Sequence, residues 1–218
     1  QAKVVGDRDF VFERAQNFRE RALFGEVTWN ITPALRATAG MRAFKTSFSN
    51  DSTLGSGVTA PANTPTRSVF SQDDSGSLFK ANVSWDLSPK QMVYATLSEG
   101  YRRAGANAIP LTGNFAENKA WQTFKPDTNV NAELGIKGSS GDLRYNVSVF
   151  NIKWDDIQLD TTTPNWGFYV AQNGGKASSR GLEAELKGKI TQALRYTLSY
   201  AYVDAKLDED VLRADRPS

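Results

Sequence analysis

Apolar residues fall on every second position through most of this chain, and the segment from Asn173 to Leu207 shows it most plainly. There Leu182, Ala184, Leu186 and Ile190 alternate with Glu183, Glu185 and Lys187. After a polar turn at Thr191 to Ala193, Leu194, Tyr196, Leu198, Tyr200 and Tyr202 alternate with Arg195, Thr197, Ser199 and Ala201. A period of two with one dry face predicts a strand, and two such runs about a short turn predict a hairpin. Each run has roughly ten or more residues, whereas strands of ordinary globular proteins run to about five or six.

The same pattern recurs upstream. Leu23, Gly25, Val27, Trp29 and Ile31 oppose Ala22, Phe24, Glu26, Thr28 and Asn30. Thr32-Pro33 turns the chain, since proline fixes φ and cannot donate to a ladder. Leu35, Ala37, Ala39, Met41 and Ala43 run back and fade near Phe48; Gln1 to Asn17 has no persistent period and predicts a loop or a frayed strand. Phe79, Ala81, Val83, Trp85 and Leu87 form the next run, Ser88-Pro89-Lys90 turns it, and Gln91 to Arg103 returns with Val93, Ala95 and Leu97 on the apolar face. Val130, Ala132, Leu134 and Ile136 lead through a glycine-containing turn, Ser139 to Asp142, to Leu143, Tyr145, Val147 and Val149. That strand continues irregularly through Trp154 to Leu159.

Connections between these runs sort by length. Short turns alternate with polar stretches at Asn50 to Gly76, Ala104 to Pro126, Asp160 to Trp166 and the tail after Leu207. The first of these spans roughly 27 residues, against a median connection of about 4 to 6. Short turns on one side and long loops on the other predict an all-β fold: an antiparallel transmembrane β-barrel segment of about eight strands, with short periplasmic turns and long extracellular loops. Trp29, Trp85, Tyr145 and Tyr196 all lie on the apolar face about three residues from a short turn, which suits an interfacial aromatic girdle.

Composition alone points elsewhere. The mean hydropathy is −0.47, and 26 Lys plus Arg against 24 Asp plus Glu give a net charge of +2 over 218 residues. That balance is not one for gripping nucleic acid, and no window reaches the roughly 18 apolar residues of a membrane helix. A membrane barrel, however, hides its apolar surface in alternation, so an ordinary mean hydropathy does not argue against it. The alternative is a soluble all-β protein with these aromatics in its core. It would leave Ala- and Leu-rich strand faces exposed beyond the few hundred Å² that a soluble monomer tolerates.

Cysteine and histidine are both absent, which removes thiolate and imidazole chemistry and with it most zinc sites and nucleophilic triads. Asp73-Asp74, Asp155-Asp156 and the Glu183/Glu185 pair read as hydrated carboxylates rather than an acid/base dyad. Gly174-Gly175-Lys176 lacks the spacing and following helix of a phosphate loop. No catalytic residue, metal site or cofactor is expected, and the chain is not expected to be an enzyme.

Leu97-Ser98-Glu99-Gly100-Tyr101-Arg102, Phe124-Lys125-Pro126 leading into Asn131-Ala132-Glu133-Leu134-Gly135-Ile136-Lys137, Trp154-Asp155-Asp156-Ile157-Gln158, Asn173-Gly174-Gly175-Lys176-Ala177 and Arg180-Gly181-Leu182-Glu183-Ala184-Glu185 carry a resemblance. In order and spacing this set resembles the barrel of TonB-dependent outer-membrane receptors, over most of the chain from about Arg21 to Leu207. The resemblance implies residence in the outer membrane of a Gram-negative bacterium. It implies capture of a scarce nutrient of the iron-siderophore, cobalamin or saccharide class, and import energised through TonB. Such receptors have about twenty-two strands around a plugged lumen. Residues 1–218 hold neither that plug nor the final strands, so they are expected to be a partial barrel domain cut from a longer one. An intact mass near 24.0 kDa for protein extracted from its native membrane would overturn this.

The expected partners are outer-membrane lipid, the TonB complex through the absent plug region, and a small-molecule ligand, with no nucleic acid. For the ligand the candidates are Arg102, Arg103, Trp121 and Trp166, since guanidinium groups grip anions and indoles stack on planar or sugar faces. Two other classes stay open from sequence: a small closed eight-stranded barrel with a structural or adhesive role, and a soluble ligand-binding β-barrel.

Overall fold

The computed structural model describes residues 10–56, 66–112, 116–165, 167 and 169–209. Its strands are β1 (Phe10–Asn30), β2 (Leu35–Ser56), β3 (Thr66–Ser88), β4 (Gln91–Arg102), β5 (Gly105–Ala106), β6 (Thr123–Phe124), β7 (Asp127–Ser140), β8 (Leu143–Asp155), β9 (Gln158–Thr162), β10 (Tyr169–Asn173), β11 (Ala177–Lys189) and β12 (Arg195–Leu207). Eight of them form one sheet in the order β1-β2-β3-β4-β7-β8-β11-β12, every neighbouring pair antiparallel. Among the described residues β1 and β12 do not pair, so the sheet is open.

Register explains why each strand alternates as it does. One continuous row of paired residues crosses the sheet as Trp29, Ala37, Val83, Ala95, Leu134, Val149, Leu182 and Tyr202. The row beside it reads Asn30, Arg36, Ser84, Tyr94, Gly135, Ser148, Glu183 and Ala201. Adjacent rows point to opposite faces, so one face is apolar throughout and the other mostly polar. On the apolar face Leu23 is 80% exposed, Trp29 68% and Leu134 58%, because the solvent for that face is lipid and not water. Tyr94, whose facing the sequence leaves open, looks inward, packs over Gly135 and donates to Glu133 Oε1 at 2.6 Å.

Three boundaries differ from the sequence pattern, all at the same end of the sheet. Residues through Asn17 predict a loop or frayed strand, yet β1 begins at Phe10 and pairs there with Ser56. Asn50 to Gly76 predicts a loop, yet most of it is the upper part of the β2–β3 hairpin, paired from Leu54↔Thr66 downward. Asp160 to Trp166 predicts a simple loop, yet β9 and β10 make a small hairpin of their own around it. The reason is common to all three. A tilted strand crosses hydrocarbon in about 9 to 11 residues, so the 21, 22 and 23 residues of β1, β2 and β3 carry on into water, where neither face has to be apolar.

Candidate ligand-binding site

The projecting ribbon of β1, β2 and β3 has an inner face that is covered along its middle strand, β2. Phe44, Thr46, Phe48, Asn50, Ser52 and Leu54, every second residue of upper β2, are all buried. The cover is the chain between β4 and β7. Pairing of β4 to β3 stops at Lys80↔Ser98, and Glu99 Oε2 accepts the next N–H, from Phe79, at 3.0 Å. Freed from β3 but still paired to β7, β4 leads Tyr101 onto Phe44, with ring centroids 4.2 Å apart, and the Tyr101 hydroxyl donates to Glu20 at 3.0 Å. Further on, Ala106 O accepts from Arg14, Gln122 donates to Ser68, and Thr112 meets Thr66.

This connection and the β9–β10 hairpin fold together into a cap. Ile109, Trp121 and Val170 form its small core, with Leu111 packed against them. A short 3-10 helix, Lys119–Gln122, is capped by Asn118 Oδ1, which accepts from Ala120 N at 2.9 Å. Amide side chains do most of the stitching. Asn107 donates to Trp121 O at 2.8 Å and Ala171 O at 2.7 Å, and its oxygen accepts from Ala171 N at 3.1 Å. Gln158 donates to Arg103 O and Lys125 O, both at 2.9 Å. Asn173 donates to Lys125 O at 3.1 Å and Asp156 O at 2.8 Å and accepts from Lys125 N at 2.7 Å.

At the rim the cap is tied to the barrel through Asp127, the first residue of β7, whose side chain is fully buried. Its carboxylate receives Arg102 Nε at 2.9 and 3.1 Å, Arg102 Nη2, and the Gln158 N–H at 2.8 Å. Arg102 in turn donates to Gln158 O at 3.0 Å. Arg102 is therefore engaged with its own scaffold, and Trp121 is 4% exposed inside the cap core. Trp166 lies outside the described residues.

Arg103 is placed differently. It is exposed, its guanidinium lies 5.0 Å from the Phe18 ring centroid and 4.9 Å from that of Phe48, and its one side-chain hydrogen bond among the described residues runs from Nη1 to Ala104 O at 3.4 Å. Phe18 and Phe48 are directly paired across β1 and β2, so the two rings make a ready-made platform for a cation. Beside it stands Arg14, whose Nε donates at 3.0 Å to the buried Asn50 Oδ1, and with the Gln16 amide oriented to match its neighbours Gln16 Oε1 accepts from Arg14 Nε at 3.0 Å and Nη2 at 2.7 Å. Burial lowers the Arg14 guanidinium from its ordinary value, and the positive charge of Arg103 adds to the effect. The sequence pattern missed Arg14, Asn50 and Asp127 because they belong to segments without lipid-facing alternation. Among the described residues no group of three or more carboxylates is placed to hold a metal ion.

A dry outer face, a polar inner face, tight turns at one end and a folded cap at the other define the wall of an outer-membrane β-barrel. The chain belongs to the TonB-dependent receptor family: the model described as "TonB dependent receptor-like, beta-barrel" matches residues 5–217. Barrels of this family lie in the outer membrane of Gram-negative bacteria, and the family is one of transport receptors. The pesticin receptor of Yersinia enterocolitica is 22% identical over 87% of this chain and 26% of its own length. The ferric-pyoverdine M114 receptor PbuA of Pseudomonas sp. (strain M114) is 31% identical over 60% of this chain and 15% of its own. In structure, the ferric yersiniabactin uptake receptor FyuA of Yersinia pestis superposes with a TM-score of 0.75 over 92% of this chain and 29% of that one, at 19% identity. The chain thus spans about a quarter of the length of the first relatives it matches.

Proposed function

We propose that these residues form the wall and part of the extracellular cap of a receptor that binds a metal–chelator complex of the siderophore class and imports it into the periplasm with energy relayed through TonB. The observation that carries the reading is the cap itself: two connections folded into one unit with its own core, seated against the inner face of a ribbon beyond the membrane. A merely structural barrel needs no such unit, and an open sheet edge at β1 and β12 does not fit a small closed barrel. Support for the ligand class comes from the relatives, which are named for pesticin, metal-pseudopaline and ferric-pyoverdine.

Of the four candidate ligand residues, Arg103 has the spare donors and the exposure to meet a ligand. Arg102 and Trp121 contribute by fixing the rim and the cap core beneath it, and Trp166 keeps its candidacy from the sequence alone. The test is uptake. Deleting the gene that encodes this chain from an iron-starved host should abolish accumulation of at least one radiolabelled ferric complex, and removal of TonB should do the same. Unchanged accumulation of every ferric complex supplied would end the reading.

A further inference from the structure

The pairing of Arg14 with Arg103 goes further than the general reading. Both side chains stand on the lumen side of the ribbon, both residues are exposed, and neither has an ion-pair partner among the described residues. The inward carboxylates of the same ribbon are engaged elsewhere. Glu20 is taken by Arg42 and the Tyr101 hydroxyl, and Asp74 Oδ1 accepts from Ser75 N at 2.8 Å. A protein that needed only to hold the cap down could have placed an acid between the two cations. Like charges held together without one raise the local potential and oppose folding.

What holds them is built, not accidental. Asn50, 1% exposed, fixes Arg14 through Nε, while the facing Phe18 and Phe48 rings hold Arg103. Each guanidinium has five N–H donors in a rigid fork. Arg103 spends one of them on Ala104 O, and Arg14 spends its Nε on Asn50 and Gln16 and its Nη2 on Ala106 O and Gln16, which leaves Nη1 of Arg14 and most of the Arg103 donors for a bound group.

We propose that Arg14 and Arg103 form a two-guanidinium clamp for a ligand presenting at least two anionic oxygens, so that the receptor selects negatively charged metal complexes over neutral ones. This rests on the importer reading and narrows its ligand class. Phe18 and Phe48 keep the Arg103 plane oriented, and Asn50 does the same for Arg14, so neither needs to pay much rotamer entropy on binding. Charge-assisted bonds to oxygens would then provide both attraction and discrimination.

The test uses the intact receptor containing this chain, purified in detergent and titrated by calorimetry with three probes: a trianionic ferric tris-catecholate, ferric citrate and a neutral ferric tris-hydroxamate. At least one anionic probe is expected to bind, and the Arg14→Gln/Arg103→Gln double variant is expected to weaken it tenfold or more while leaving the neutral probe within twofold. Arg103→Lys, which keeps the charge but not the fork, should recover part of the loss. Raising salt from low to physiological strength should weaken the wild type more than the double variant. Heat-modifiable gel mobility checks that the double variant is folded. Absence of binding by both anionic probes, or an equal loss for charged and neutral probes, would overturn the clamp. Failure of the importer reading shows differently, as accumulation of no ferric complex in cells; accumulation whose charge preference survives the double variant sinks the clamp alone.

Discussion

At the scale of single residues, Asp127 and Gly181 decide most. Asp127 is a buried carboxylate serving a half-exposed arginine and a backbone N–H, so truncating it strands both donors. Asp127→Ala should cost on the order of 1 to 3 kcal/mol, and its first sign should be faster proteolysis in the β4–β7 connection with the barrel still resistant. Gly181 is the opposite case, a position defined by what is missing. A Cβ there would lie 2.7 Å from the Phe150 ring tip and closer still to Tyr202 O. The backbone atom cannot yield, so Gly181→Ala should destabilise by about 1 to 3 kcal/mol in a urea titration, as other overpacked sites do. Gly25→Ala has nothing within 4 Å and should leave the midpoint unchanged.

At the scale of elements, the cap and the ribbon are held together by contacts that a mutation can separate from the barrel. Trp121→Ala removes the largest side chain from the Ile109/Val170 cluster and should cost about 3 to 5 kcal/mol within that unit. Hydrogen exchange checks it: amides of residues 105–112, 119–124, 158–165 and 169–173 should lose protection, and those of β7, β8, β11 and β12 should keep it. This division also sets what could be read from sequence. The eight strands and their short turns were legible because lipid on one side forces a strict apolar period through each crossing. The upper parts of β1, β2 and β3 were not, since a ribbon in water needs only backbone pairing and a partly buried inner face. Asn50 at 1% exposure looks like a loop residue in the sequence because its long-range partner, Arg14, lies 36 residues away on the neighbouring strand. The family strings were recognisable without their physical meaning: Gln158 and Asn173 matter because both seize the carbonyl of Lys125.

For the whole molecule, the governing fact is that its two faces meet different solvents. Leu134 sits in the apolar row and Thr96 on the opposite face of the neighbouring strand, paired with Glu133. Leu134→Arg should oppose insertion by about 2 to 4 kcal/mol, the usual cost near the hydrocarbon midplane, whereas Thr96→Arg should fold into vesicles with little change. A large cost at Thr96 with little at Leu134 would mean that the faces have been assigned the wrong way round, and equal effects would mean that neither face meets lipid. The attachment of the cap has a different kind of consequence. Asn107, Gln158 and Asn173 all bind main-chain carbonyls, and carbonyls are the same whatever side chain sits above them. The outward side chains of the cap can therefore be exchanged residue by residue while three amides keep its main chain in one shape.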